Sequence, residues 1–384
     1  MHICVIFFLR FLIGIFEDAT YSSIFPCLYN SPITSQGIWS KTLGNDTKYI
    51  VDCAIMIQCF ASTVVYSGIL GDVWTPIFKA VGLPDTINRR KSNIVALAAL
   101  VLYPLSLIKD LSALAFTSIL GFSAVAYTVL FIAIRSMDGT YALGALGEPI
   151  GKFVADGTIA MPSFAKSTLW NLDFTSLVLM SSLGLAFIAH YNSPTFYRGM
   201  DKPTIPRFGK MVKSSYAILV AIYCLAMCSG YATFGDVCKG NILLNYHASD
   251  ILATFARVAT GFSILFGFPL VFRGARLALT SVAETLGFKD VGKHHKALVT
   301  AMLAAITSIA ITVEDVSLVV GLSGATMGSL LVYILPPIMW TKAVKMANGA
   351  DSVEYKKERL NLAFIPLGLF IAGMGVFMTL KSKA

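Results

Sequence analysis

Long apolar runs separated by short polar segments make up most of the chain. Residues 111–134, 215–235, 297–313 and 316–341 contain no Asp, Glu, Lys or Arg. A helix needs roughly 20 apolar residues to cross the hydrocarbon core of a bilayer, where every backbone polar group must be paired within the protein. The pattern therefore predicts ten transmembrane helices. They cover approximately residues 3–24, 50–77, 92–108, 112–134, 172–196, 215–236, 251–272, 297–313, 316–341 and 361–380.

The composition supports a membrane protein. Of 384 residues, 56% are hydrophobic and 13% are charged, whereas a soluble domain is typically about 25% charged. This excludes a cytosolic enzyme, a disordered scaffold and a secreted disulfide-rich module. The predicted fold class is an all-α membrane protein, a polytopic bundle of about ten transmembrane helices.

The net charge of +9 reflects the orientation of the chain. Lys and Arg favour cytoplasmic loops, and beyond residue 197 alternate loops hold 15 basic residues against 3. The basic loops, near 197–214, 273–296 and 342–360, are therefore predicted to lie in the cytosol. The expected partner is the lipid bilayer and not nucleic acid; protein partners stay open. A glycan at the acceptor site on Asn45 would invert this orientation.

The predicted span 172–196 carries residues that interrupt a helix. Pro194 lacks a backbone donor, and Asn192 and Ser193 offer side-chain hydrogen bonds that compete with helical ones. Irregular backbone at membrane depth persists only inside protein or beside a water-filled cavity, and transporters use such breaks to hold zwitterions. The alternative is a simple proline kink with His190 as a packing residue.

Three ionisable residues fall within or near predicted spans: Arg10, Asp72 and Arg257. Charges at membrane depth are costly unless paired or hydrated. We expect Arg257 to extend its side chain to the outer interface, and Asp72 to be exposed near the outer end of its span.

Other candidate chemistry is weaker. Gly321, Leu322, Ser323 and Gly324 resemble the nucleophile turn of intramembrane serine proteases, but no histidine follows His295 to accept the proton. The pairs Cys224 with Cys228 and His294 with His295 lack further ligands, so no metal site and no cofactor are predicted.

Four stretches together resemble one family. They are residues 103–111 with Thr117 and Ser118, residues 187–190 with Pro194 and Tyr197, Arg257 through Pro269 to Arg276, and residues 321–337, which end in Tyr-Ile-Leu-Pro-Pro. In this order they resemble the amino acid/auxin permease family, in particular its sodium-coupled neutral amino acid transporters and their protist and algal relatives.

The resemblance implies a single transmembrane transporter domain over residues 1–384. Members of the family have eleven helices in a five-plus-five inverted repeat, with substrate between the broken first and sixth helices. Counting back from residues 172–196 as the sixth helix makes 3–24 the second. We therefore expect the family's first helix to be missing here, either because the sequence begins within a longer product or because it is a short form.

The resemblance also implies a function, which is secondary active transport of small neutral amino acids. Substrate would meet residues of the broken helix and of the tenth helix: Phe187, Ala189, His190, Tyr191, Asn192, Ser323 and Thr326. The coupling ion is H⁺ or Na⁺, with Ser263 as its candidate ligand. Leu265 and Gly267 stand where sodium-coupled relatives carry threonines, which leaves sodium coupling open.

The expected location is the plasma membrane or a vacuolar or lysosomal type of membrane. Two other functions stay open at this point. The missing first helix is compatible with a non-transporting amino acid sensor or an inactive paralogue. An intramembrane serine protease acting through Ser323 is the third hypothesis.

Overall fold

The computed structural model describes residues 35–108, 115–142, 150–153, 163–164, 176–188, 196–197, 199–288 and 291–381, and within these ranges the regular elements are helices. The α-helices are α1 Ser35–Leu43, α2 Tyr49–Ala80, α3 Arg90–Leu97, α4 Tyr103–Leu107, α5 Ala115–Met137, α6 Ser176–Ala186, α7 Ile205–Phe234, α8 Ile251–Thr285, α9 His295–Thr312, α10 Val316–Ser323, α11 Leu335–Asn348, α12 Val353–Glu358 and α13 Phe364–Lys381. A π-helical segment, Ala98–Leu102, joins α3 to α4, and two more, Gly324–Gly328 and Leu330–Ile334, join α10 to α11.

Seven helical stretches within the described ranges are long and apolar enough to cross a membrane. They agree with seven of the ten predicted spans, and they establish a polytopic helical membrane protein. The predicted span 92–108 is helical from Arg90 to Leu107 but is interrupted by the π-helical segment. The span 3–24, with Arg10, lies outside the described residues, and only part of 172–196 lies within them.

Several helices extend beyond the predicted spans. α7 begins ten residues before residue 215, and α8 continues to Thr285 instead of ending near 272. At 1.5 Å per residue, the 35 residues of α8 are about 52 Å long, whereas the hydrocarbon core is about 30 Å thick. The extra turns include charged side chains, so hydropathy alone did not reveal them.

Aspartates begin two of the helices. The carboxylate of Asp250 accepts hydrogen bonds from the amides of Leu252 and Ala253 at the start of α8. Asp315 does the same for the amide of Ser317 at the start of α10, at 2.8 Å. These contacts satisfy amides that have no partner within the helix.

The centre of the bundle is the pair α2 and α8, which pack along much of their length. The main hydrophobic core joins Leu70 of α2, Ile94 of α3, Phe268 of α8 and Ile306 of α9. α5 packs on α8 and α7 on α5, while α6 lies against α10, the segment Gly324–Gly328 and α13.

The expectation that Asp72 is exposed is wrong. Its side chain is only 5% exposed, and it accepts a hydrogen bond at 2.7 Å from Nε of Arg90. Arg90 also donates to the carbonyls of Ala310 and Val313 at the end of α9. Close packing excludes solvent here, and the ion pair joins α2, α3 and α9 in place of a hydrated carboxylate.

The expectation that Arg257 reaches the interface is also wrong. The residue is 2% exposed, and its Nη2 donates to the carbonyls of Leu243 and Tyr246 at 3.0 and 2.6 Å. The loop before α8 folds back over the helix and supplies these acceptors. The guanidinium is therefore buried beneath that loop and does not extend outward.

A second ion pair fixes α5 to α8. Arg135 donates from Nε and Nη2 to the two oxygens of Asp250, at 2.9 and 2.7 Å, and Asp250 is fully buried. The hydroxyl of Tyr141 donates to the same carboxylate and accepts from the amide of His247. Burial raises the pKa of Tyr141 above its ordinary value, so its hydroxyl remains protonated and able to donate.

Candidate functional site

Helix α6 ends at Ala186, inside the segment where the sequence predicts a break. Phe187 forms a turn and Ile188 is no longer helical. The amides of Phe187 and Ile188 still donate to the carbonyls of Leu183 and Leu185, at 3.0 and 3.2 Å. The helix therefore stops about halfway along the predicted span 172–196.

Two tyrosines of α7 hold this helix end. The hydroxyl of Tyr216 donates to the carbonyl of Phe187 at 3.0 Å, and that of Tyr223 donates to the carbonyl of Ala186 at 3.3 Å. Both rings also pack on Phe187, at centroid distances of 5.9 and 5.1 Å. The last carbonyls of an α-helix have no partner within the helix, and α7 supplies these two.

A third tyrosine lies nearby on the central helix. Tyr66 of α2 is close enough to Tyr223 for the two hydroxyls to interact electrostatically. Its ring edge is also near Gly267 of α8, where a methyl group on the glycine would lie 3.8 Å away. The end of α6 is thus connected through α7 to the α2 and α8 pair.

Glycines allow α6 to approach the segment after α10 closely. A Cβ on Gly324 would overlap the carbonyl group of Ser181, and one on Gly328 would lie 3.4 Å from the carbonyl carbon of Gly184. Gly375 of α13 makes a similarly close approach to the Ser181 side chain. Small residues at such positions permit direct contact between helix backbones in membranes.

The segment facing α6 is itself irregular. Two π-helical turns, Gly324–Gly328 and Leu330–Ile334, flank Ser329, whose hydroxyl is buried and makes no hydrogen bond with the described residues. π-Helical turns occur frequently at functional sites because they disturb the regular pairing of the backbone. The irregular segment after α10 therefore lies directly beside α6.

The structure places only some of the predicted substrate residues. Phe187 is buried at the end of α6, while Ala189, His190, Tyr191 and Asn192 lie outside the described residues. The amide and the carbonyl of Phe187 both have protein partners. These two backbone groups are therefore already occupied within the protein.

Ser323 and Thr326 lie on the neighbouring segment. Ser323 is the last residue of α10 and is 7% exposed, and the hydroxyl of Thr326 donates to the carbonyl of Leu322 at 2.7 Å. The contacts of Gly324 and Gly328 with α6 bring this segment beside Ser181 and Gly184. The segment that carries Ser323 and Thr326 is thus adjacent to α6.

The predicted cation ligand lies on a different interface. Ser263 is on α8, and its Oγ would be 3.2 Å from a Cβ on Gly121 of α5. Among the described residues, no hydrogen bond joins Ser263 to Ser323 or to Thr326. Its role as a ligand stays a prediction.

The sequence analysis missed Tyr216, Tyr223 and Tyr66. A signal was present, because Tyr216 and Tyr223 are seven residues apart and therefore share one face of a helix. A tyrosine in an apolar span carries a hydroxyl that needs a partner. Two such hydroxyls on one face indicate acceptors on a neighbouring element.

Comparison with known proteins identifies the family. The chain is 24% identical over 351 residues to "Putative sodium-coupled neutral amino acid transporter 11" of Rattus norvegicus, covering 90% of this chain and 72% of that protein. It is 25% identical over 319 residues to "Vacuolar amino acid transporter 2" of Saccharomyces cerevisiae, covering 79% of this chain and 62% of the yeast protein. These relatives are transporters and not enzymes, so the hypothesis of a serine protease at Ser323 is wrong.

The family-level match extends over almost the whole chain. The sequence model described as "Transmembrane amino acid transporter protein" matches residues 7–381, a range that includes all of α1 to α13. The chain belongs to the transmembrane amino acid transporter family.

Proposed function

We propose that this chain transports small neutral amino acids by secondary active transport, driven by H⁺ or Na⁺. The observation that carries the proposal is the end of α6 at Ala186, beside the irregular segment that follows α10. A helix that stops within an apolar bundle exposes backbone groups that require partners. A zwitterionic amino acid offers both a carboxylate and an ammonium group to such groups.

The substrate site follows from this arrangement. Tyr216 and Tyr223 already occupy the carbonyls of Phe187 and Ala186. We therefore assign substrate binding mainly to the peptide groups of residues 189–192, that is Ala189, His190, Tyr191 and Asn192. Ser323 and Thr326, on the segment after α10 that packs against α6, are the further substrate contacts we assign.

The transport cycle we propose is alternating access within a five-plus-five inverted repeat. One bundle moves against the other around a central site. The long contact between α2 and α8 suits a rigid scaffold. By contrast, α6 contacts the segment after α10 through glycines, and few side chains interlock there. We propose that the movement takes place at this second interface. Ser263 on α8 is the proposed ligand of the coupling ion.

The two relatives differ in what their names state. The rat protein is called sodium-coupled, and the yeast protein is called vacuolar. We therefore propose the plasma membrane or a vacuolar type of membrane as the location. Since the coupling ion is open, an uptake experiment must offer both a Na⁺ gradient and an H⁺ gradient.

The decisive experiment is uptake by the purified chain in proteoliposomes. Radiolabelled alanine, serine and glutamine are offered under an inward Na⁺ gradient, under an inward H⁺ gradient and without a gradient. We expect accumulation above equilibrium under at least one gradient, and a weaker response to that gradient in Ser263→Ala. Thr128→Val, at the contact of α5 with α8 where the Thr128 hydroxyl lies 3.2 Å from that of Thr260, serves as the matched control.

The same preparation distinguishes the alternatives. Binding of an amino acid without flux under either gradient would contradict transport and support the sensor hypothesis. Neither binding nor flux would support an inactive paralogue. A normal apparent KM in Ser323→Ala and in Asn192→Ala would remove these residues from the site.

A further inference from the structure

A cluster of positive charge lies at the basic end of α8, away from the candidate transport site. Arg276 is 8% exposed, and its Nη1 is 3.0 and 3.2 Å from the two ring nitrogens of His295. Arg273 is exposed and close enough to repel the Arg276 guanidinium. In the part of the chain that the structure describes, neither arginine forms an ion pair with Asp or Glu.

The ring that contacts Arg276 brings no negative charge to it. Nε2 of His295 also lies 3.3 Å from the carbonyl of Leu107, and an imidazole ring is not an anion. Among the described residues, this mostly buried guanidinium therefore has a second cation and a ring beside it but no carboxylate, whereas buried charges are normally paired.

Neighbouring residues raise the positive potential further. Lys293 precedes α9, and Lys296 lies in its first turn; both are exposed. The start of α9 and the segment before it pack against α8. Two exposed lysines thus lie on elements that contact the helix carrying both arginines.

The position of Arg273 along α8 matches the headgroup region of a bilayer. It lies 22 residues after Ile251, about 33 Å along the helix axis at 1.5 Å per residue, whereas the hydrocarbon core is about 30 Å thick. Leu270 and Leu277, one turn on either side, are 44% and 55% exposed. The arginine therefore lies on a stripe of apolar side chains that face outward from the bundle.

We propose that Arg273 and Arg276 bind the phosphate of an anionic phospholipid, with its acyl chains on the apolar stripe of α8. The forked donors of arginine match phosphate oxygens. The lipid phosphate supplies a negative charge that the described residues do not provide at this point. Because exposed leucines flank Arg273, a lipid gains apolar contact that free phosphate cannot make. The proposal does not depend on the transport function.

The test is native mass spectrometry of the purified chain titrated with dioleoyl phosphatidylserine or dioleoyl phosphatidylcholine. We expect tighter binding of phosphatidylserine, and a loss of about fivefold in its affinity in Arg273→Gln, since one basic residue at an anionic surface contributes on the order of that factor. Phosphatidylcholine, whose choline balances the charge of its phosphate, should lose less affinity than phosphatidylserine. Arg273 is exposed, so this variant should fold; Arg276→Gln should reduce phosphatidylserine affinity at least as much.

Arg207→Gln, an exposed arginine in the first turn of α7, is the matched control and should keep the preference for phosphatidylserine. Equal affinity of the wild-type chain for the two lipids would overturn the proposal, as would unchanged phosphatidylserine affinity in Arg273→Gln. Competition by inorganic phosphate or by glycerophosphoserine at the same concentration would show a site for a free anion, and that result would also overturn it.

Discussion

The hydroxyl of Tyr216 donates a hydrogen bond of 3.0 Å to the backbone carbonyl of Phe187, which lies 29 residues earlier in the chain. The two rings also stack, with an interplanar angle of 28°. Helix α7 thereby fixes the position at which α6 ends. In the proposed transport mechanism this contact positions the peptide groups that follow Phe187, and Tyr216 is a positioning residue.

Replacing Tyr216 with Phe should raise the apparent KM more than it lowers the maximum rate of uptake. The variant keeps the ring but leaves the buried carbonyl of Phe187 without its donor, which typically costs about 1–3 kcal/mol. The broken segment should then bind substrate less well. Concentration-dependent uptake of the transported amino acid measures both parameters.

Tyr231→Phe is the control for this variant. Tyr231 lies on the same helix and is 40% exposed, so loss of its hydroxyl should leave both parameters unchanged. An unaltered KM in Tyr216→Phe, with normal folding, would show that the tyrosine does not position the site.

Replacing Gly324 with Ala should separate α6 from the segment after α10. The new methyl group would overlap the carbonyl group of Ser181, and backbone atoms cannot move aside as a flexible side chain can. Overpacking of this kind typically costs about 1–3 kcal/mol. We expect a lower unfolding temperature in detergent together with reduced uptake.

Gly373→Ala provides the comparison, because a methyl group at Gly373 of α13 would have nothing within 4 Å. Alanine also favours a helix over glycine by roughly 0.8–1.0 kcal/mol. This variant should be as stable as the wild type or more so. Similar unfolding temperatures for both variants would contradict the close packing at Gly324.

Replacing Asp72 with Asn should destabilise the fold substantially. The change removes the charge that compensates Arg90, whose side chain is 21% exposed and also contacts the end of α9. Breaking a buried ion pair costs about 3–5 kcal/mol, and the partial exposure of Arg90 places this case near the lower limit. Thermal unfolding in detergent measures the change.

Asp85→Asn is its matched control. Asp85 pairs with Lys79 at 3.5 Å, but their side chains are 75% and 63% exposed. An exposed pair contributes about 0–1 kcal/mol, so this variant should unfold near the wild-type temperature. A loss of stability as large as that of Asp72→Asn would mean that burial does not decide the contribution of the pair.

Cys238 offers a test of the predicted orientation. Its thiol is free and exposed at the end of α7, in a loop predicted to lie outside the cytosol. Partial burial raises the pKa of this thiol, and only the thiolate reacts with maleimide. A membrane-impermeant maleimide should label intact cells slowly near pH 7 and faster as the pH rises through and above the usual range for cysteine.

Cys238→Ser should abolish the pH-dependent labelling that comes from this thiol and leave any labelling of the other cysteines unchanged. In cells shown to carry the chain in the plasma membrane, labelling only after permeabilisation, or a glycan on Asn45, would invert the orientation and place the basic loops outside.

The contacts of the buried charges could not be predicted from the sequence. Asp72 and Arg90 are 18 residues apart on different helices, and Arg135 and Asp250 are 115 apart. An isolated charge in an apolar run is equally compatible with exposure and with a buried pair, since both avoid an uncompensated charge in lipid. The prediction of exposure for Asp72 and of an extended Arg257 failed for this reason.

By itself, the sequence determined the membrane class and the positions of the main helices, and it predicted an interruption within the span 172–196, where α6 ends at Ala186. Hydropathy depends on local composition, because each span must satisfy its own backbone, and the residues on which the predicted interruption rests lie within that span. The family resemblance also came from motifs in their linear order. The tertiary structure alone decided which tyrosines hold the end of α6, which glycines bring the segment after α10 beside it, and which charges are paired. These are contacts between distant parts of the chain, and they depend on how the helices pack.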